Sequence, residues 1–75
     1  MEAWLADREK YWICHFHRDP KSWVKDVMVF VDHGRAMPGN EPALLKSRRS
    51  MRYEDAVILW KQLQTLGWTV SEAVW

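Results

Sequence analysis

Two histidines separated by a single residue, His15 and His17, are the most closely spaced imidazoles in the chain and have ligand chemistry. Strand side chains two apart point to the same face, so both imidazoles would face one way, as metal ligation requires. Two ligands do not make a site, and the third histidine is His33. If strands over 11–17 and 27–31 form a hairpin around a turn at 18–26, His15 lies opposite residue 28 and His33 beside residue 10. Five residues at about 3.3 Å each then separate the histidines by roughly 16 Å, too far for one ion. Cys14 points to the opposite face. The expectation is a pair of histidines on a solvated strand face, with no metal and no cofactor.

Asp32-His33-Gly34-Arg35, with Glu41 nearby, contains the residue types of acid/base chemistry. That chemistry needs a cleft that shifts pKa values and holds groups within hydrogen-bond reach, and a chain this short has little room for one. No nucleophile elbow, phosphate-binding glycine loop or metalloprotease helix motif is present. The expectation is therefore no catalytic residue and no enzymatic activity, with Asp32 and Arg35 bonding backbone or each other.

The one basic run is Lys46, Arg48, Arg49 and Arg52, with no acid between Pro42 and Tyr53. On a strand, Lys46 and Arg48 share a face and Arg49 takes the other. Arg52 follows at a helix start, where free backbone amides also attract anions. Together these residues suit phosphates, of nucleic acid or of a small ligand. The competing expectation is a solvated basic edge that discourages strand-to-strand aggregation, or salt bridges to Asp19, Asp26 or Glu41. A single-stranded site would also need stacking aromatics, for which Tyr11 and Trp23 are the candidates. Ile58, on the polar side of the helix, joins Trp23, Met37 and Trp75 as a candidate partner-binding patch, because Trp, Met and Arg are enriched in interface cores.

These residues must be positioned by a small set of elements. Residues 3–8 and 11–17 read as strands around a polar turn at Arg8-Glu9-Lys10. In the second, Trp12, Cys14 and Phe16 share an inner face. Asp19-Pro20-Lys21-Ser22 carries turn chemistry. Val27 to Val31 is apolar on both faces, as in a central, doubly covered strand. A loop spans Asp32 to Pro42, with His33-Gly34 breaking the strand and Met37-Pro38-Gly39-Asn40 fitting a type II turn. Ala43 to Arg49 reads as a further strand. A helix runs from Ser50, its N-cap, to Leu66. Tyr53, Ala56, Leu59, Trp60, Leu63 and Leu66 form its inner face. Gly67 suits the left-handed C′ position, with Trp68 folding back onto Leu63. Trp68 to Val70 adds a short last strand.

Seventy-five residues allow one domain, 1–75. Cys14 is the only cysteine, so disulfides do not reinforce the core and a reducing, cytoplasmic compartment is expected. Of the six tryptophans, each able to bury about 200 Å², most are expected to reinforce the core instead, with any exposed minority the more informative. A net charge of +1 provides no global field toward nucleic acid or an anionic membrane. No apolar stretch approaches the roughly 20 residues that span a bilayer, and no signal peptide is visible. The expected fold class is α+β: a small antiparallel sheet of four or five short strands with one C-terminal amphipathic helix on one face.

Trp4-Leu5, the stretch Phe16 to Trp23, Val29 to Gly39, Glu41 to Arg49, and Leu59-Trp60-Lys61-Gln62-Leu63 with Gly67-Trp68 are similar to a family of very short proteins from marine picocyanobacteria, catalogued as a domain of unknown function, number 1651. The resemblance covers nearly the whole chain, and Val31 to Arg35 and Leu45 to Arg49 are its specific stretches. It implies a cytoplasmic cyanobacterial or cyanophage-related protein, and it supplies no activity, cofactor or catalytic residue. The functional expectation is a small non-catalytic interaction or regulatory protein that binds a protein partner or itself. The alternative is nucleic-acid or phosphate binding through segment 46–52.

Overall fold

The computed structural model describes residues 2–39, 41 and 44–73. Five strands and one helix follow in the order β1 (Glu2–Ala6), β2 (Trp12–Arg18), β3 (Met28–Arg35), β4 (Leu44–Arg52), α1 (Tyr53–Thr65) and β5 (Thr69–Ser71). The strands make one antiparallel sheet in the order β4-β3-β2-β1-β5, and the helix packs on one face. The α+β class and its antiparallel sheet are as expected.

Alternation along the strands sorts side chains between two faces. Leu5, Cys14, Phe16, Val29 and Val31 point toward the helix and are buried. Ala56 is buried against them, with Leu59, Trp60 and Leu63 packed around it. The Phe16 and Trp60 rings meet edge-on at 5.2 Å, an arrangement favoured by their quadrupoles. Trp68 joins this cluster through the expected helix ending. Gly67 takes φ 103°, its amide donates to Gln64 O, and the Trp68 amide donates to Leu63 O, each at 3.0 Å. Those bonds are the Schellman pattern.

Several local expectations are corrected. β3 does not stop at Val31. Asp32 to Arg35 stay in the ladder with β2, and His33-Gly34 marks an irregularity toward β4 rather than a break. β3 is interior but not central, since β2 holds the middle of the sheet, and the helix covers only one of its faces. β4 runs on through Ser50 and Met51, which pair with Phe30 and Val29. Ladder hydrogen bonds there outweigh helix capping, so Arg52 rather than Ser50 is the N-cap, with extended backbone and no side-chain cap bond. Tyr53 and Leu66, expected on the inner helix face, are exposed because they sit at the helix ends. The β1–β2 turn is organised by Asp7, whose Oδ1 accepts from the Tyr11 amide at 2.8 Å while Lys10 takes φ 58°. Gly39 has the positive φ expected of it, at 68°. Asn40 lies outside the described residues.

Candidate functional site

The sheet face away from the helix collects the unusual residues. Trp4 pairs with His15, His15 with Asp32, and Asp32 with Arg48, one row crossing four strands. The next row aligns Glu2, His17, Phe30 and Ser50. His15 is therefore opposite Asp32, four residues from the partner expected of it, and His33 pairs with Cys14 on the helix side. The cause is the loop between β2 and β3. Its last rung is Arg18 with Val29, so the hairpin is centred further along the chain than a symmetric turn at 18–26 would place it.

This face is not a solvated row. His15 is 6% exposed and Asp32 only 1%. The rings of Trp4 and His15 stack at 4.1 Å and 5°, and His15 stacks on His17 at 4.3 Å and 19°. Arg48 lies over the Phe30 ring at 4.7 Å. Trp4 Nε1 is buried and meets no acceptor among the described residues.

Asp32 is the electrostatic centre. Arg48 Nε donates to its Oδ1 at 2.6 Å and Nη2 to its Oδ2 at 2.9 Å, a bidentate grip. His17 Nε2 lies 2.8 Å from Oδ2. Burial alone would raise the Asp32 pKa, but the hydrogen bonds and charges of Arg48 and His17 prevail and hold it below the ordinary value. The His15 pKa is pushed down, chiefly by burial and then by His17, against a smaller upward pull from Glu2 and Asp32. Its Nε2 lies 3.7 Å from Glu2 Oε2. One ligand atom from each of His15, His17 and Asp32 falls within 4.8 Å of the others. Cys14 lies on the other face, and burial pushes its thiol up to about 11, leaving it protonated and inert at neutral pH.

The basic run does not converge. Lys46, Arg48, Arg49 and Arg52 all lie on edge strand β4, but Arg48 is committed to Asp32, and Arg49 lines a groove on the helix side with Asp55 and Ile58. The salt-bridge partner is Asp32, not the expected Asp19, Asp26 or Glu41.

The partner-interface candidates are on separate elements. Trp23 is 82% exposed and its neighbour Val24 is 86% exposed. Both ride a formed turn, in which the Asp26 amide donates to Trp23 O at 3.1 Å. That turn stands on a second one, where Asp19 Oδ1 accepts from the Lys21 amide at 2.9 Å and Asp19 O from Ser22 Oγ at 2.7 Å. Tyr53 lines a cleft with Lys25 and Asp26 at its root. Ile58 is exposed on α1 and Met37 is half-buried. Trp75 lies outside the described residues.

Sequence reasoning identified both histidines and missed Trp4 and Asp32 as their neighbours. The available signal was an acid in an otherwise apolar strand, on the face that alternation assigns to the histidines. No helix among the described residues is long and apolar enough to cross a membrane. The family model described as Protein of unknown function (DUF1651) matches residues 2–75. No curated protein and no solved structure matches the chain.

Proposed function

The chain belongs to the DUF1651 family, and we propose that it is a non-catalytic interaction module that docks the Trp23-Val24 turn into an apolar pocket of a protein partner. One observation carries this: the most exposed tryptophan among the described residues and its valine neighbour stand side by side on a hydrogen-bonded turn. A ring held out by ordered backbone loses little further entropy on binding, which suits tryptophan as an interface anchor. Lys21 and Lys25 flank the pair, so an acidic rim around the partner's pocket complements it. The resemblance to picocyanobacterial proteins and the single buried cysteine support a cyanobacterial cytoplasm as its setting.

The test is calorimetry with a purified partner, first isolated by affinity capture on the wild-type chain. Trp23→Ala should weaken binding by at least about 30-fold, the size of an anchor worth roughly 2 kcal/mol. Equal affinity for the two chains sinks the proposal. A dimer in sedimentation that dissociates on Trp23→Ala would replace the partner with a second copy. The alternative, phosphate or nucleic-acid binding, rests on Lys46, Arg49 and Arg52, because Arg48 is engaged with Asp32. It requires binding to single-stranded nucleic acid that falls steeply with salt.

A further inference from the structure

We propose that His15, His17 and Asp32, with Glu2 as a fourth donor, bind one first-row divalent transition-metal ion on the open face of the sheet. The cluster is built by register. Glu2 is the cross-strand partner of His17, and Asp32 is the cross-strand partner of His15. Two donor pairs on three adjacent strands thus share the two histidines of β2, and alternation aims all four side chains to one face. The donor atoms of His15, His17 and Asp32 are already near one another, and the Glu2 carboxylate approaches His15. The His17 Nε2 to Asp32 Oδ2 distance is 2.8 Å, His15 Nε2 to Glu2 Oε2 is 3.7 Å, and the three-residue set lies within 4.8 Å. Tetrahedral ligation with bonds of about 2.0–2.1 Å spaces donors about 3.3 Å apart, inside that range.

The surroundings suit such an ion. Arg48 Nε on Oδ1 fixes the carboxylate plane, the hydrogen-bonded support that metal-ligating carboxylates usually have. Ligation takes Oδ2 from Arg48 Nη2 and His17 while Nε keeps Oδ1. Trp4 stacked on His15 shields one side and restricts the ring's rotation. Two carboxylates outnumber the one guanidinium, so the cluster's charge favours a cation. Imidazole nitrogen with carboxylate oxygen selects zinc, cobalt, iron or nickel over magnesium and calcium. This centre is independent of the Trp23 turn, which lies in the β2–β3 loop.

The ion is tested directly. Chelator-treated wild-type chain is titrated with Zn2+ by calorimetry and with Co2+ by visible absorbance. One ion per chain is expected, with a Co2+ ligand-field band. His17→Gln should weaken Zn2+ binding at least about tenfold and abolish the band. His33→Gln, which alters a histidine on the other face, should change neither. Because a cluster variant can misfold, imidazole 15N shifts of the wild-type chain give a second measurement: Zn2+ should move His15 and His17 and leave His33 in place. The proposal is overturned by the absence of saturable binding to the wild type, by His33→Gln weakening it as much as His17→Gln, or by shifts confined to His33.

Discussion

Asp32 shows how one buried acid sets the behaviour of its neighbours. Its carboxylate is almost without solvent, and an unpaired charge there would cost several kcal/mol. Arg48 and His17 compensate it, and its folded pKa falls below the ordinary 3.8. A carboxylate with a lowered folded pKa contributes stability that is present above its unfolded value and lost as pH falls through its folded value. His15 acts in the same direction over a higher window, because its folded pKa lies below 6.5 and protonation is disfavoured in the fold. Thermal melts in chelator should therefore show stability falling first below about pH 6.5 and again below about pH 4. In Asp32→Asn the second decline should be reduced, so its Tm gap from the wild type narrows as pH drops below about 4. A gap that stays constant across that range would mean that Asp32 contributes through packing and not through charge.

At the scale of elements, the helix ending is the most sharply specified feature. Gly67 at φ 103° occupies a region that costs an L-residue about 1–2 kcal/mol, and a Cβ there would collide with the Arg8 side chain. Gly67→Ala should lower Tm by roughly 4–8 °C per kcal/mol lost, measured by circular dichroism, with α1 still formed. An unchanged Tm would show that the turn relaxes to another conformation. The helix start is different. Ser50 has the chemistry of a cap, yet it pairs with Phe30 in the sheet, and nothing local in the chain marks where the ladder ends. Strand β3 continues past its expected end at Val31 for a related reason. His33-Gly34 has turn composition, but neighbours on both sides keep its backbone in the ladder.

Across the whole molecule, the described tryptophans divide by role. Trp60 and Trp68 pack on the core, Trp4 and Trp12 lie half-buried on the sheet, and Trp23 faces solvent. A chain this size has few fully buried side chains, and among the described residues Phe16 is the largest. Phe16→Ala should cost about 3–5 kcal/mol, a large part of the ~5–15 kcal/mol typical of a domain, and leave the chain mostly unfolded at 37 °C. Trp23→Ala removes a ring of similar size from the surface and should shift stability by no more than about 0.5 kcal/mol. Denaturant melts of the two variants measure that contrast.

Alternation, helical periodicity and the Gly67 signal are properties of neighbouring residues, so the amino-acid sequence by itself determined the α+β class, the inner face of β2, the helix and its Schellman ending. The same alternation placed His15 and His17 on one face and left Trp23 beside turn residues. Only the tertiary structure decided what faces the histidines. Hairpin register depends on how the 19–27 loop folds and on which rungs bury the most apolar surface, and a shift of four residues keeps every side chain on its own face while exchanging all its neighbours. That shift brings Asp32 to His15, and the separate β3–β4 register brings Arg48 to Asp32. Together they set two histidines expected on a solvated strand beside the buried Asp32 carboxylate and its Arg48 partner.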